Sequence, residues 1–374
     1  MKILHIYKDY HPILGGIENH LKLLAEGQAA RGHEVTALVT NPDGLRSTIE
    51  MENGVRVVRA GRLATVASTP LTLALPWRLA RERPDVVHLH FPYPVGETAQ
   101  WVLGRGRATV LTYHSDVVKQ ATILKVYRPV MERVLQKVSA IIIGSPPMRN
   151  SAYLAPYQEK LKLIPYGIPL ARFRRQESGG EAGGGATPAV RRATFDFTLL
   201  FVGRLRYYKG LDYLIRALPE IPDARLRVVG IGPMEAEWRA LAREVAVAER
   251  IEWLGEAPDD ALPAIYQSSD LFILPASHPS EAFGLVQVEA MAAGLPVVCT
   301  ELGTGTTYVN IDGVTGLVAL PRDPQSLAAA INSIIADPAR RAAMSRSAQA
   351  RVTQEFDLDV MVDRVLALYD DLIR

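Results

Sequence analysis

The chain has one cysteine, Cys299, in 374 residues, which excludes an intramolecular disulfide framework and suits a reducing compartment. Its setting, PVVCT, predicts a buried strand position. No apolar run approaches the ~20 residues that a spanning helix needs. The opening segment, MKILHIY, is too short for the apolar region of a signal peptide and reads as a first strand. A cytoplasmic chain is therefore expected. A strong charge imbalance is also missing: 42 Lys+Arg against 40 Asp+Glu leave +2. A pI near 8.5 is modest, and no base-stacking motif accompanies the basic residues, so nucleic acid is not an expected partner. G-x-G-x-x-G is absent, and with it the dinucleotide fingerprint.

What is present fits two domains of ordinary size, since 48% apolar residues suffice for two cores. Short apolar runs alternate with helical patterns, the signature of α/β units around parallel sheets. KILHIY, EVTALVT, VRVVRA, DVVHLHF, TVLTYH and AIIIGS form a first series of strands. A second series runs through FTLLFVG, RLRVVGIG, IEWLG, LFILPAS, PVVCT and GLVAL. Between them, SGGEAGGGATPA (178–189) is too rich in glycine to form an element and reads as a mobile surface insertion. The last segment spaces Val362, Val365, Leu366, Tyr369 and Leu372 as one helical face. Charge divides unevenly: residues 1–170 hold 21 basic and 13 acidic side chains, net +8, while 171–374 hold 21 and 27, net −6. The basic half either faces acidic lipid or a lipid-diphosphate acceptor, or is ordinary solvated surface.

The most informative stretch is Pro275 to Pro296, PASHPSEAFGLVQVEAMAAGLP. Loop residues lead into a helix from about Gly284, and Gly294 with Pro296 stop it. The first turn of that helix points unpaired N–H groups with partial positive charge back at the loop, a fit for a diphosphate. Glu281 lies in the loop in front, and Glu289 lies roughly 7 Å along the axis inside the helix. A carboxylate on each side of an anion site matches a sugar nucleotide, which has hydroxyl-rich groups on both sides of its diphosphate. Two glutamates alone would more often be surface charges.

Other features are weaker. Gly15-Gly16 follows the first strand and opens a helix, where glycines let backbone approach a ligand. Arg204 and Lys209 flank the carboxyl end of strand FTLLFV, where open α/β sheets bind ligands. His114 closes TVLTYH, a position that is commonly structural. His88 and His90 share one strand face, but no neighbouring Cys or Asp accompanies them, so no metal is expected there. VVGIGP contributes Gly232 to a turn, and DLD at 357–359 serves a helix N-terminus better than a metal.

The Pro-Ser-Glu-Ala-Phe-Gly context of Glu281 resembles the E-x7-E motif of retaining GT-B glycosyltransferases of family 4, the group 1 glycosyl transferases. The resemblance covers essentially the whole chain. It implies two Rossmann-like domains facing a central cleft, residues 1–168 on the acceptor side and 169–357 on the donor side. It also implies that helix 358–374 crosses back to the first domain. By the same resemblance Glu281 holds hydroxyls of the transferred sugar and Glu289 the nucleotide ribose, with Phe283, Gly284, Leu285 and Val286 between them on sugar and diphosphate. Arg204 and Lys209 meet the diphosphate, Gly16 touches it from the first domain, His114 contacts the donor sugar, and Gly232 edges the base.

The expected reaction moves a sugar from a nucleoside diphosphate sugar to an acceptor hydroxyl with retention and without cofactor or metal. TYHSDVVKQ and FVGRLRYYKG look like bacterial polysaccharide mannosyltransferases, which favours GDP-mannose over UDP sugars. The acceptor is then a carbohydrate, glycolipid or polyprenyl-linked oligosaccharide, met at the inner membrane face or in solution. A sugar-nucleotide 2-epimerase of the same fold, a sugar phosphorylase (for which no cofactor lysine is identifiable) and a non-catalytic sugar-nucleotide-binding protein are the alternatives.

Overall fold

The computed structural model describes residues 1–13, 15–66, 69–116, 121–174 and 197–374. The glycine-rich stretch 178–189 lies outside the described residues. The chain divides into two units, Met1–Gly167 with Leu358–Arg374, and Ile168–Asp357.

The first unit is built on β1 (Lys2–Ile6), β2 (Glu34–Thr40), β3 (Thr48–Glu52), β4 (Val55–Ala60), β7 (Val86–Phe91), β8 (Ala108–Tyr113), β9 (Ala140–Ile143) and β10 (Leu161–Leu163), together with a separate hairpin of β5 (Ala64–Val66) and β6 (Thr69–Leu71). Sheet order is β10-β9-β8-β7-β1-β2-β4-β3, parallel except for the antiparallel edge strand β3. That edge strand and the hairpin have no counterpart in the sequence expectations, because TIEME lacks the continuous apolar run of its neighbours. Its residues are half-buried or exposed, whereas every residue of β7 is buried. Strands covered on both faces read as unbroken apolar runs, and edge strands do not. Helices α1 (Gly16–Ala30), α2 (Ala74–Leu79), α3 (Pro94–Leu103) and α4 (Ala121–Lys137) connect the strands. Gly32, with φ +81°, follows α1 in the left-handed conformation that commonly ends helices.

The second unit has a six-stranded parallel sheet in the order β13-β12-β11-β14-β15-β16. These strands are β11 (Phe197–Val202), β12 (Ala224–Val229), β13 (Ile251–Gly255), β14 (Leu271–Leu274), β15 (Val297–Thr300) and β16 (Gly316–Ala319). Its helices are α5 (Leu211–Ala217), α6 (Glu235–Glu244), α7 (Leu262–Gln267), α8 (Leu285–Ala292), α9 (Thr306–Val309), α10 (Pro324–Ile335) and α11 (Pro338–Glu355). Cys299 is buried in β15. The final helix, α12 (Leu358–Ile373), belongs to the first unit, where Val362, Val365 and Tyr369 join its core. Each unit thus has its own apolar cluster. In each sheet the order reverses beside the first strand, between β1 and β7 and between β11 and β14. Such switch points are where open α/β sheets bind ligands.

Candidate active site

In the second unit, the two loops at the switch point follow β11 and β14, and they are stitched together backbone to backbone. Gly210 has φ +66°, and a Cβ there would collide with the carbonyl oxygen of Pro275. Only glycine combines that conformation with that approach. Beside it, the Ser277 N–H donates to the Tyr208 carbonyl at 2.8 Å. The contact holds the cation-bearing loop against the carboxylate-bearing one. Lys209, 9% exposed, lies with Nζ 2.6 Å from Glu281 Oε2, and Glu281 is itself only 8% exposed. Among the described residues no donor meets that oxygen in hydrogen-bond geometry. An ammonium has three N–H groups, and one facing Glu281 leaves two for a ligand. Arg204 is exposed, and among the described residues its guanidinium has no ion-pair or hydrogen-bond partner.

Three residues beyond Glu281, Gly284 takes φ +76° and turns the chain into α8. The helix closes its first bond from Gln287 N–H to the Gly284 carbonyl at 2.9 Å. Among the described residues no protein acceptor meets the N–H groups of Gly284, Leu285 and Val286. The motif's expected diphosphate falls on these three N–H groups. The Phe283 ring instead packs edge-on against Phe356, centroids 5.9 Å apart, leaving its main chain to the loop. Inside α8, Glu289 accepts a 2.7 Å hydrogen bond from the phenol of Tyr266 on α7. Desolvation pushes the Glu289 carboxyl up to about 7, against the pull of that hydrogen bond. Tyr266 is absent from the sequence reading because LPAIYQ carries no signal beyond helical periodicity.

Gly232 lies in the turn after β12, and a Cβ there would collide with the backbone of Leu205. This packing alone accounts for a glycine.

In the first unit, Gly15 and Gly16 divide their roles. A Cβ on Gly15 would strike the Glu18 carboxylate, which folds back over the helix start, whereas Gly16 is exposed with open space around it. His114 is buried. Its Nδ1 lies 3.0 Å from the Tyr166 hydroxyl and its Nε2 3.2 Å from His90 Nδ1. A hydrogen bond from its ring to a sugar would have to displace one of these.

That contact opens onto a feature larger than the sequence disclosed. His88 and His90 lack a neighbouring Cys or Asp in sequence, but the fold surrounds them with His5, His20 and His114. His5 pairs in register with His88, and His114 directly follows β8, two residues beyond Thr112, which pairs with His90. His5 joins His90 at 3.1 Å and the Gln28 side chain at 2.7 Å. His88 bonds the Tyr369 hydroxyl at 2.5 Å and Thr112 Oγ1 at 2.6 Å. Burial drives these imidazoles toward the neutral form: His5 falls to about 4, His20 to about 3, and His88, His90 and His114 well below the usual range.

Comparison with known proteins agrees with this architecture. The family model for glycosyltransferase family 4 matches residues 14–172, and that for glycosyl transferases group 1 matches residues 189–351. The D-rhamnosyltransferase WbpZ of Pseudomonas aeruginosa is 35% identical, covering 95% of this chain and 92% of its own. The O-antigen chain mannosyltransferase C of Escherichia coli is 32% identical, covering 100% and 99%. Among solved structures, sucrose-phosphate synthase from Thermosynechococcus elongatus superposes with a TM-score of 0.78 at 24% identity, covering 99% and 98%. The chain belongs to the group 1 glycosyl transferases of glycosyltransferase family 4, with the GT-B fold.

Proposed function

We propose that this glycosyltransferase takes a nucleoside diphosphate sugar of the manno series, with GDP-mannose favoured over a UDP sugar, and transfers the sugar with retention. The observation that carries the reading is the row of acceptor-free amides at Gly284–Val286 beside the Lys209–Glu281 pair. The names of the two relatives support the sugar, since rhamnose is 6-deoxymannose and shares its axial 2-hydroxyl.

The diphosphate lies against those amides. Lys209 and Arg204 neutralise the charge that grows on the leaving group as the glycosidic bond breaks. A cation 4 Å from the leaving phosphate is worth ~4 kcal/mol at an effective dielectric near 20, so these groups supply the leaving-group stabilisation without a metal at the diphosphate. Glu281 orients Lys209 and accepts from sugar hydroxyls, while Glu289 accepts from the ribose. A donor-sugar contact from His114 would displace its ring contact with His90 or with Tyr166.

A carboxylate bound to sugar hydroxyls is not available beneath the anomeric carbon as a nucleophile. Departure and attack on one face, with the leaving phosphate taking the acceptor proton, follows from that assignment.

The acceptor is a carbohydrate or lipid-linked saccharide in polysaccharide or glycolipid assembly at the inner face of the cell membrane. Exposed Leu63, Val66, Leu71, Leu73 and Trp77, with Arg78 and Arg81 stacked on the Trp77 ring, support peripheral attachment there. Among the described residues no helix is long and apolar enough to cross a membrane.

Thermal shift with GDP, UDP and ADP tests the donor, because a ligand that binds the folded state raises Tm. The largest rise is expected with GDP; no rise with any of the three would sink the reading. Incubating GDP-mannose without acceptor separates the 2-epimerase alternative: appearance of the 2-epimer favours it, and slow hydrolysis favours transfer.

A further inference from the structure

Five of the eight histidines gather beneath α1 and α12, and their hydrogen bonds leave one of them unaccounted for. A neutral imidazole has one N–H and one bare nitrogen. Gln28 Oε1 can only accept, so His5 Nε2 must carry its proton, and the rest of the chain is then forced. His5 Nδ1 accepts from His90 Nε2, His90 Nδ1 from His114 Nε2, and His114 Nδ1 from the Tyr166 hydroxyl. His88 is likewise satisfied at both nitrogens by Tyr369 and Thr112. His20 is the exception. It is 7% exposed, its ring lies 5.8 Å from that of His90 and 5.3 Å from that of His114, and among the described residues neither ring nitrogen has a hydrogen-bond partner. A buried polar group left in that state costs ~1–3 kcal/mol, so it calls for a ligand.

We propose that His20, His90 and His114 form a transition-metal site, of a kind that takes Zn²⁺, with the fourth position open. One ligand atom from each lies within 4.8 Å of the other two. The His90–His114 separation of 3.2 Å is close to the edge of a tetrahedron, about 3.3 Å for Zn–N bonds of about 2.0–2.1 Å. Metal binding requires no net proton release. His90 Nδ1 is already bare, and His114 frees Nε2 by moving its proton to Nδ1, where it donates to the Tyr166 oxygen. Each of these two ligands then donates its distal N–H to an acceptor already in place, His90 to His5 and His114 to Tyr166. Such outer partners are characteristic of histidine metal sites. The chosen trio gives up the His114–His90 hydrogen bond and gains the orphaned His20, whereas His5, His88 and His90 would give up satisfied hydrogen bonds and gain no orphaned nitrogen. The metal would pin α1 through His20 to β7 and β8 and so fix the helix start at Gly15–Gly16.

The test uses the full-length chain without a histidine tag, stripped with chelator and reloaded with Zn²⁺. About one zinc per chain should survive gel filtration, and Zn²⁺ should raise Tm. His20→Asn should abolish both while leaving the His5–His90–His114–Tyr166 chain intact. The Met1 amino group and His33, 3.2 Å apart, are the competing surface site, and His33→Gln should retain the zinc. X-ray absorption at the zinc edge of the unmutated protein should give three imidazoles, which keeps the proposal open to refutation even if the variant misfolds. Failure to retain zinc, retention undiminished in a folded His20→Asn, or loss on His33→Gln would each overturn it.

Discussion

The two units of this chain share one plan, a parallel sheet whose strand order reverses beside its first strand, yet they put their ionisable groups to opposite uses. In the first, five imidazoles sit under the helices and desolvation holds them neutral. In the second, cations and a carboxylate sit in loops at the strand ends, Lys209 against Glu281 and Arg204 without a side-chain partner among the described residues, while Glu289 lies inside α8 behind the open amides with its carboxyl pushed up to about 7. The same topology therefore supports a buried, neutral imidazole cluster in one unit and a site poised for an anion in the other. The lesson is that the switch point provides a place and the side chains decide its chemistry.

If that division holds, the largest effects belong to the cations of the second unit. Arg204→Ala and Lys209→Ala should each lower kcat by about 10²–10³, the loss of ~2.7–4 kcal/mol seen when one preorganised charge-stabilising donor is removed. Lys209→Ala should also free Glu281, so its loss should be the greater. Sugar transfer measured with GDP-mannose and acceptor checks this. Near-normal turnover in either variant would break the assignment of charge stabilisation to this unit.

Next in size is the response to acid, where the units should move in opposite directions. His5 is lowered in the folded state to about 4 and His20 to about 3, against 6.5 unfolded. Their contribution is complete above pH 6.5 and is lost as pH falls toward 4 and 3, with ~3 kcal/mol at stake for His5 alone. Glu289, raised to about 7, has the opposite sign: its contribution is complete below about 4.5 and is lost as pH rises through 7. Glu97 in the first unit, bonded to the Tyr93 N–H and Tyr127 hydroxyl and also raised to about 7, opposes the histidines but is outnumbered by them. Hydrogen exchange followed from pH 7 to 5 should show protection falling first in β1, β7 and β8. Earlier loss in β11 and β14 would reverse the comparison.

A smaller effect tests the joint between the two loops. Gly210→Ala forces a side chain into φ +66° and onto the Pro275 carbonyl, costing at least the ~1–2 kcal/mol of a left-handed residue. Its urea midpoint should fall, and KM for the donor should rise because Lys209 loses its seat. A variant with unaltered KM would show that the contact only supports the fold.

How much of this was legible beforehand differs between the units for a physical reason. The buried parallel strands declare themselves as apolar runs, and Glu281, Gly284 and Glu289 lie within nine residues of one another, so local spacing carries their relation. The edge strand β3 and the β5–β6 hairpin are too exposed to leave such a pattern. The histidine cluster is hidden for a different reason. His5, His20, His88, His90 and His114 come from two strands, the residue that follows a third, and a helix, and only strand register and the packing of α1 bring them together. The one available signal was histidine inside otherwise apolar strands, in KILHIY and DVVHLHF, where a polar side chain needs partners that sequence does not name. The pairing of Lys209 with Glu281 was hidden likewise, since the two lie on loops after different strands.

The smallest predicted effect sharpens the comparison most, because it concerns one hydroxyl. Tyr266→Phe removes the 2.7 Å donor to Glu289 and leaves the ring, which packs against Phe173 and Phe272, in place. That hydrogen bond favours the ionised carboxylate, so without it desolvation acts unopposed and the Glu289 pKa rises further above 7. At neutral pH more of Glu289 is then protonated, and a protonated carboxyl accepts more weakly from ribose hydroxyls. A net hydrogen bond is worth ~1 kcal/mol, so nucleotide affinity should fall about five-fold at pH 7 and recover as pH is raised. Titrating GDP at pH 7 and pH 9 by calorimetry distinguishes this from a packing defect, which would weaken binding equally at both. A pH-independent loss would mean that Tyr266 merely shapes the pocket, and that the carboxylate behind the amides is not tuned by its neighbour at all.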